Sequence, residues 1–409
     1  MKLLYVTWDG PANNYLDGLF FPIFQRLAAW GVQTHVVQFS WDLASFRERT
    51  AQAAAQYGVT YEVHAVPRRP LHFATAAAVT FGAALVARAA RRQGADVLMP
   101  RSHIPAAIAL SAHRLAGRPR LVWDSDGLVP DERADFGGWS RTGPVYLGFR
   151  ALERRMVERS SCVLTRTTHA ASLLSERSKV PLERFVVVAN GKDPERFSPG
   201  SAEQREEVRR ELGVSPDGPL LAHVGSLGPQ YLGREMLDTF GRIRARLPKA
   251  HLLILTAATE TAAALCREAG LAPGAVTIRK VDAMQVPRYL RACDGGFAFR
   301  QPSLSQRAVC PIKVAEYLLC GVPVLANRGV GDLDAQLAGS EAGLLSDSVE
   351  RSALEAVANR YVLHAWPHRD RLRESARALG LTHYSIDACA AAYARALDLG
   401  DGERGPKAG

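Results

Sequence analysis

Clustered metal ligands are missing from this sequence. Its cysteines form no Cys-x-x-Cys pair and have no histidine at ligand spacing, which argues against a zinc site and against a disulfide framework. They are Cys162, Cys266, Cys293, Cys310, Cys320 and Cys389. We therefore expect reduced thiols, as in a cytoplasmic protein, and no resident metal.

Long apolar runs are missing as well. The amino terminus has only a short apolar run before Thr7, too short for a signal peptide. The best membrane candidate, residues 71–90, is rich in alanine and carries His72, so its insertion energy is small and a packed helix is expected. The 409 residues, of which 47% are hydrophobic, are enough for about two or three domains with substantial cores.

A Gly-x-Gly-x-x-Gly fingerprint is also absent, so a dinucleotide-binding fold has no support. What the sequence has is one α/β plan used twice, in which apolar strands alternate with helical segments. The first series runs to about residue 185 and the second starts at Pro219. Residues 188–218 between them are rich in turn formers and charge, which is typical of an interdomain linker. Parallel sheets bind ligands at the loops that follow the carboxyl ends of their strands, and residues 9–18 are predicted to form such a loop.

Positive charge is in excess, because lysine and arginine outnumber aspartate and glutamate by 51 to 41. The excess favours anionic partners, namely nucleotides, phospholipid surfaces or nucleic acid, without choosing among them. Arg91 and Arg92 follow the alanine-rich segment. They would suit contact with an anionic membrane or a solvated helix face, and both interpretations stay open.

The segment Cys310–Asn327 predicts a short helix that ends at Gly321 and leads into a buried parallel strand. Lys313 and Glu316 are three residues apart and therefore share a face of this helix. One interpretation is a nucleotide site, because a helix N-terminus and a cation both favour phosphate. The other interpretation is an exposed ion pair within the helix.

Other phosphate-binding candidates follow strands of the second series. The loop that starts with Gly225 and Ser226 contains several glycines, which let backbone amides approach a phosphate closely. Arg300 closes one predicted strand and Arg307 precedes the helix described above. Several cations are therefore expected to converge at one edge of this sheet.

Polar candidates also follow strands of the first series. His103 could act as a base or contact a substrate hydroxyl, or it could be structural. Asp124 and Asp126 lie in an acidic loop after the next strand. They could orient sugar hydroxyls, cap the following helix or neutralise neighbouring arginines.

Taken together, these motifs resemble those of the GT-B glycosyltransferases of family 4, over nearly the whole chain. Asn190-Gly-Lys-Asp193 is similar to the hinge signature, normally Asn-Gly-Val-Asp, and residues 311–324 resemble the nucleotide-binding signature. The resemblance implies two Rossmann-like parallel sheets that face each other across a cleft. Residues 1–190 would bind the acceptor and residues 191–375 the donor nucleotide. Residues 376–409 would form a helix that crosses back to the N-terminal domain, followed by a polar tail.

The resemblance assigns the donor residues one by one. Glu316 matches the second glutamate of the E-x7-E pattern, which binds ribose hydroxyls, whereas Ala308 stands at the first. Ser226 stands where an arginine normally holds the diphosphate. Arg300, Arg307 and Lys313 are the expected substitutes, since a departing phosphate needs cations or N–H groups to carry its charge.

The resemblance also covers the acceptor motifs of bacterial surface-polysaccharide members. Asp126 stands where those members more often have the arginine of Asp-x-Arg-Gly. His103, Asp124 and Asp126 are the expected acceptor-orienting groups. No protein nucleophile is implied, because retaining members are thought to use same-face attack, in which the donor phosphate takes the acceptor proton.

The implied activity is retaining transfer of a sugar from a nucleotide-activated donor to a saccharide or polyprenyl-linked acceptor, in bacterial cell-surface glycan synthesis. The expected location is the cytoplasm or the inner face of its membrane. No cofactor beyond the donor and no nucleic-acid partner are expected. The departures at Ala308 and Ser226 leave open a nucleoside-monophosphate sugar donor, a phosphoribosyl donor and a non-catalytic GT-B scaffold.

Overall fold

The computed structural model describes residues 1–10, 15–43, 47–66 and 71–400, with the side chains of residues 71–77 left out. Three features named above fall outside this description: the middle of the predicted ligand loop (residues 11–14), the side chain of His72, and the polar tail from residue 401. The chain forms two compact units. Unit 1 comprises Met1–Ala189 and Ile386–Gly409, and unit 2 comprises Asn190–Ser385.

Unit 1 is built on a seven-stranded sheet in the order β3-β2-β1-β4-β5-β6-β7, and all its strand pairs are parallel. Its strands are β1 Lys2–Trp8, β2 Gln33–Ser40, β3 Thr60–Ala65, β4 Val97–Pro100, β5 Arg120–Asp124, β6 Cys162–Thr165 and β7 Phe185–Val187. Its helices are α1 Phe21–Ala28, α2 Arg49–Gln56, α3 Leu71–Gln93, α4 His103–Leu115, α5 Val129–Phe136, α6 Pro144–Arg159, α7 Thr168–Ser178 and, numbered in chain order, α16 Ile386–Ala396. Short π- and 3₁₀-helical turns cover Leu16–Phe20 and Leu182–Arg184.

Unit 2 repeats the plan with a six-stranded parallel sheet in the order β10-β9-β8-β11-β12-β13. Its strands are β8 Leu220–Val224, β9 His251–Leu255, β10 Val276–Arg279, β11 Gly295–Phe297, β12 Val324–Asn327 and β13 Gly343–Ser346. Its helices are α8 Ala202–Glu211, α9 Gly233–Arg246, α10 Thr259–Glu268, α11 Val286–Leu290, α12 Ile312–Leu319, α13 Leu333–Gln336, α14 Arg351–Arg360 and α15 Arg369–Tyr384. Shorter helical turns cover Pro273–Ala275, Ser305–Ala308 and Tyr361–Ala365.

The central strands of both sheets are apolar runs because helices cover both faces of a parallel sheet. Every residue of β4, β6, β8 and β12 is buried. The prediction that one α/β plan is used twice is therefore confirmed. In each sheet, the polar residues that follow the strands lie at the carboxyl edge.

The chain returns from unit 2 to unit 1 between Ser385 and Ile386, whereas the predicted boundary lay between residues 375 and 376. The difference arises because α15 packs closely on α12 of unit 2. A Cβ atom at Gly380 would lie 2.7 Å from the backbone nitrogen of Leu319, so only glycine permits this approach. The segment that belongs to unit 1 is α16.

Candidate functional site

Helix α12 is the element that positions the candidate site of unit 2. It begins at Ile312, directly after Pro311, and Gly321 follows its end with a φ of +72°. Tyr317 fixes its rotation: the Tyr317 ring lies against Gly296, where an added Cβ would be 2.5 Å away, and its hydroxyl accepts a 3.0 Å hydrogen bond from the Val224 backbone. The helix therefore has one defined rotation over β8 and β11, and this turns Lys313 inward.

Lys313 is buried, with 7% of its surface exposed. Its Nζ lies 3.5 Å from Nε2 of His223 and 4.5 Å from the ring centre of Tyr231. Burial, and then the nearby Arg300, lower the pKa of Lys313 to about 7, against a smaller raising effect of Glu316. The alternative of an exposed intrahelical ion pair is wrong, because Lys313 is covered and its carboxylate neighbour lies beyond ion-pair distance.

Arg300 joins Lys313 at the face of the same tyrosine. Its guanidinium carbon lies 4.6 Å from the ring centre of Tyr231, and its Nη2 donates a 2.9 Å hydrogen bond to Gln230. Its Nε donates to Gln306, a fully buried residue whose own amide nitrogen has no hydrogen-bond partner within the described chain. Arg300 itself is 5% exposed.

Lys313 and Arg300 share the lack of a counter-ion within the described part of the chain. Among the described residues, neither has an aspartate or glutamate oxygen within ion-pair distance. Burial of uncompensated positive charge is costly, so such a pair is expected where an anion binds. The convergence of cations at this sheet edge is confirmed for these two residues.

The glycine-rich loop borders this cationic cluster. Gly225 has a φ of +101°, a backbone conformation that favours glycine. Its N–H donates a hydrogen bond to the Leu255 carbonyl. Ser226 is exposed, and its carbonyl lies 3.2 Å from Nε2 of His223. Burial, and then Lys313, hold the pKa of His223 well below its ordinary value, so this imidazole is neutral.

Glu316 lies one helical turn beyond Lys313 and is nearer the surface. Its side chain is 13% exposed, and its Oε1 lies 3.3 Å from Nζ of Lys192, which comes from the hinge-like segment. Arg307 is exposed on the turn that follows Gln306, unlike the buried Arg300 and Lys313. Ala308, at the position of the missing first glutamate, is completely buried.

In unit 1 the predicted residues lie in a dense network of ion pairs. Asp124 is fully buried and accepts hydrogen bonds of 2.6 and 2.8 Å from Arg166 and one of 2.6 Å from the hydroxyl of Tyr393 on α16. Arg101 donates to Asp9 at 3.2 Å and to Asp126 at 2.8 Å. The carboxylates that could have been free ligands for a substrate therefore already have arginine partners.

Asp126 is the most accessible member of this network, with a side chain that is 31% exposed. Its φ of +64° is rare for a residue other than glycine and places local strain at this turn. Burial raises the pKa of Asp126, but Arg101 and Arg166 outweigh that effect and hold it below the ordinary value. It is thus a carboxylate, and its acceptor-orienting role stays a prediction.

His103 is 1% exposed, with its ring packed against Trp123 and Phe149. Burial, and then Arg150, lower the pKa of His103 to about 3, so the ring is neutral at physiological pH and is a weak base. The structure places His103 and Asp124 behind the surface, where neither contacts a molecule in solvent without a rearrangement. Their predicted roles remain predictions that need such movement.

Several residues of these sites were missed at the sequence level. His223 and Tyr231 could have been noticed as polar side chains in an apolar strand and in the glycine loop. Lys192 was visible as a departure from the hinge signature. Nothing in the sequence pairs Arg166 with Asp124, since they are brought together only by the alignment of β5 and β6.

A basic face covers α3, α4 and α6, and α4 packs against both of the other helices. We call it the arginine face, and its members are Arg88, Arg91, Arg114, Arg155 and Arg159 on these helices and Arg118 just after α4. All six are exposed, and none has an acidic partner within ion-pair distance in the described part of the chain. Phe81 and Leu115, 72% and 51% exposed, lie on the same helices.

Two features of the described residues concern membranes and metals. Every described helix falls short of the length or apolar character that a bilayer-spanning segment needs. In the same residues, no group of three or more His, Cys, Asp or Glu side chains is arranged to hold a metal ion.

Two family models match the chain. The model described as Glycosyltransferase Family 4 matches residues 23–196, and the model described as Glycosyl transferases group 1 matches residues 204–379. Curated relatives include a D-inositol 3-phosphate glycosyltransferase of Corynebacterium jeikeium, 26% identical over 59% of this chain and 55% of the relative. A protein of the same name from Rhodococcus opacus is 28% identical over 48% of this chain and 44% of the relative. The chain spans about half the length of these curated relatives.

Solved structures share the architecture of the whole chain. Anabaena Alr3699/HepE, crystallised with UDP and glucose, has a TM-score of 0.72 at 16% identity and covers 97% of this chain and 99% of its own. WaaG, a glycosyltransferase involved in lipopolysaccharide biosynthesis, has a TM-score of 0.67 at 18% identity and covers 98% of this chain and 100% of its own. At these identities the likeness establishes the fold alone.

Proposed function

We propose, on the premise that the chain belongs to glycosyltransferase family 4 with the GT-B fold, that it is a retaining sugar transferase. The enzyme moves a sugar from a nucleotide-activated donor to a saccharide or lipid-linked acceptor and retains the anomeric configuration. The expected setting is bacterial cell-surface glycan synthesis in the cytoplasm. One observation carries the proposal: Lys313 and Arg300 are buried together with no counter-ion among the described residues, and Lys313 lies one helical turn from Glu316. Such a group of residues suits a phosphate joined to a ribose.

The cations have a defined task in this reaction. When the bond between sugar and phosphate breaks, negative charge grows on the leaving phosphate, and groups already in place stabilise that charge without reorganising. The ring of Tyr231 contacts both Lys313 and Arg300, and Gln230 and Gln306 accept hydrogen bonds from Arg300, so both cations are in place before the reaction. Glu316 accepts hydrogen bonds from the ribose hydroxyls. The proposal includes no protein nucleophile, and the donor phosphate takes the proton of the acceptor hydroxyl.

The relatives and neighbours support the class of donor. Alr3699/HepE was crystallised with UDP, with UDP and glucose, and with UDP-glucose, and a further neighbour is a sucrose-phosphate synthase of Thermosynechococcus elongatus. The curated relatives carry an inositol phosphate in their names. These names support a nucleotide sugar as donor and leave the acceptor of this chain open.

The proposal is tested by thermal unfolding in the presence of nucleosides, nucleoside monophosphates and nucleoside diphosphates of all common bases. We expect a diphosphate to stabilise the protein most, by about 2.7 kcal/mol when present at 100 times its dissociation constant. Glu316→Ala should lower this stabilisation by at least about 1 kcal/mol, because a hydrogen bond to a charged group is lost, whereas the exposed Glu268→Ala, also in unit 2, should leave it unchanged. Equal effects of nucleoside and diphosphate would contradict the proposal.

The same screen separates the alternatives that the departures at Ala308 and Ser226 raise. A preference for a monophosphate indicates a nucleoside-monophosphate sugar donor, and a preference for a phosphoribosyl compound indicates that donor class. Tight diphosphate binding without sugar transfer or donor hydrolysis would indicate a non-catalytic scaffold.

We also propose that the arginine face binds an anionic membrane peripherally. Six exposed arginines, which have no acidic partner within the described residues, lie on or just after adjacent helices together with Phe81 and Leu115. A basic residue close to an anionic leaflet contributes about 1 kcal/mol to binding, and exposed apolar side chains add insertion into the interface. A lipid-linked acceptor would then be within reach of a protein held at the surface.

Vesicle sedimentation tests this contact. The variant with Arg88, Arg91, Arg114 and Arg155 all changed to Gln should bind phosphatidylglycerol vesicles at least about 100-fold more weakly at low salt. The matched control changes Arg210, Arg246, Arg267 and Arg351 of unit 2, which are equally exposed, and should bind as the wild type does. Binding that does not depend on the fraction of anionic lipid in the vesicles would contradict the proposal.

A further inference from the structure

His223 is a buried histidine in an otherwise apolar strand. It belongs to β8, where the other residues are leucine, alanine and valine, and 3% of its surface is exposed. A polar ring in such a place needs polar partners, because an unpaired N–H in the interior costs free energy. Within the described chain, the partners of this ring are the Ser226 carbonyl and Lys313, and both border the candidate phosphate site.

One ring nitrogen of His223 makes both contacts. Nε2 lies 3.2 Å from the Ser226 carbonyl oxygen and 3.5 Å from Nζ of Lys313. A carbonyl oxygen only accepts hydrogen bonds, so in this arrangement Nε2 carries the ring proton and donates it. The ring is neutral, because burial, and then Lys313, hold the pKa of His223 well below its ordinary value. Nδ1 therefore carries no proton.

This arrangement suits an uncharged Lys313 and conflicts with a charged one. An uncharged amine has a lone pair that faces the Nε2–H, whereas an ammonium group has three donors and no acceptor. Charging Lys313 therefore sets two donors against each other. Tyr231 contacts both side chains, with its ring centre 4.5 Å from Nζ and 6.3 Å from the imidazole centre, so the lysine and the histidine are packed together.

A bound phosphate favours the charged form of Lys313. In the free protein Arg300 opposes that form and Glu316 supports it more weakly. An ammonium group can donate to Nε2 only when this nitrogen has a lone pair, which requires the ring proton to be on Nδ1. The change of tautomer adds no net proton, so a proton taken up on binding is that of Lys313. The Ser226 carbonyl then loses its donor.

The Ser226 carbonyl belongs to the glycine-rich loop. Phosphates are bound by backbone N–H groups, so a carbonyl oxygen that faces the cations of the site is unfavourable once a phosphate is there. Gly225 and Gly228 flank this carbonyl and give the backbone freedom to turn it away. The hydrogen bond inside the loop, from the Gly228 N–H to Oγ of Ser226 at 3.1 Å, does not involve the carbonyl.

We propose that His223 is a positioning residue that couples the donor phosphate to the glycine-rich loop. In the free protein its Nε2–H holds the Ser226 carbonyl. In the complex its Nε2 accepts from the charged Lys313, and the carbonyl is released and turns away from the phosphate. This inference rests on the proposed function, because it assumes that unit 2 binds a nucleotide phosphate.

Nitrogen NMR of the full chain with ¹⁵N-labelled histidine rings tests the coupling at pH 8, where most of Lys313 in the free protein is uncharged. The probes are UDP, GDP, ADP and CDP and their nucleosides. The signals of His223 are those that His223→Gln lacks. Nε2 should be protonated in the free protein and with the nucleoside, and unprotonated with the diphosphate that binds best. An Nε2 that stays protonated with the diphosphate, or loses its proton with the nucleoside alone, overturns the inference.

Dissociation constants of matched variants separate this role from structural support. His223→Phe keeps a ring and removes both nitrogens, so it should weaken diphosphate binding by about 10-fold and change nucleoside binding by less than about twofold. His223→Gln, whose amide offers a donor and an acceptor, should recover most of the loss. His251→Phe removes a buried histidine of β9 that contacts Thr277 at 2.8 Å, and should leave both affinities unchanged.

The possible failures remain distinguishable. Equal weakening of diphosphate and nucleoside in His223→Phe indicates a structural role alone and overturns the inference. If His223→Phe does not fold, the tautomer measured in wild-type protein decides. Failure of every nucleoside diphosphate to bind wild-type protein is a separate outcome, which contradicts the proposed function and overturns the inference with it.

Discussion

Lys313→Met is expected to lower kcat/KM for sugar transfer by about 10²- to 10³-fold, the effect of losing one preorganised donor at a developing anion. The variant retains the shape of the side chain and removes the buried charge that would carry the leaving phosphate. The loss should fall mainly on kcat, because the charge on the phosphate grows as the bond breaks. Initial rates with the nucleotide sugar chosen by the thermal screen measure it.

Two controls test whether Lys313→Met still folds and whether the loss of any lysine of unit 2 would have the same effect. In the folded protein the pKa of Lys313 is about 7, below its unfolded value, so burying the charged amine costs stability at neutral and lower pH. Lys313→Met should therefore unfold at no lower temperature than the wild type at pH 7. Lys280→Met, an exposed change of the same kind in unit 2, should keep full activity. A kcat/KM for Lys313→Met within threefold of the wild type would refute the role.

Arg166→Met is expected to produce the largest loss of stability, about 3–5 kcal/mol of unfolding free energy for unit 1. Both residues of the Arg166–Asp124 pair are buried, and Arg166 donates to both oxygens of the carboxylate. Removing the arginine leaves Asp124 with the Tyr393 hydroxyl and without a balancing charge at short distance. Unfolding in urea measures the loss.

Two further variants check the reason for that loss. Arg154→Met breaks an exposed pair with Glu158 and should cost less than about 0.5 kcal/mol. The double variant Asp124→Asn with Arg166→Met should be more stable than Arg166→Met alone, because no unpaired charge remains buried. A cost below 1 kcal/mol for Arg166→Met would show that the pair is not what holds this sheet edge together.

The fold was predictable because its signals are local. Apolar runs such as residues 162–165 and 220–224 needed only helices on both sides to become buried parallel strands, and the structure has them there. Helix α12 was equally visible, since Pro311 and Gly321 mark its two ends. The return to unit 1 was placed too early, because the close packing of α15 depends on the glycine at 380 meeting a helix far away in the chain.

The candidate donor site of unit 2 was predictable in part. Lys313 and Arg300 were proposed as phosphate ligands, but the sequence could not show that both face Tyr231 or that neither has a carboxylate partner in the described part of the chain. Those facts depend on residues brought together from β8, β11 and α12. Arg307 looked equivalent to Arg300 in the sequence and differs from it in the structure by its exposure.

The burial of the predicted acceptor-orienting residues was less predictable, because it is set by helices that are remote in the sequence. His103 follows a strand and was expected to face a ligand, yet α6 brings Phe149 and Glu153 over it. Asp124 likewise meets Tyr393 from the C-terminal helix α16. Side chains at a strand's carboxyl end are ligand candidates only when no such helix covers them.

Titration calorimetry of the preferred nucleoside diphosphate at pH 8, in two buffers of different ionisation enthalpy, tests whether Lys313 binds the phosphate of the donor. In the free protein the pKa of Lys313 is about 7, so most of the amine is neutral at that pH, and a bound phosphate favours its charged form. We expect proton uptake on binding, tighter binding of the diphosphate than of its nucleoside, and loss of the uptake in Lys313→Met. Binding without proton uptake, or uptake that survives in Lys313→Met, would contradict it.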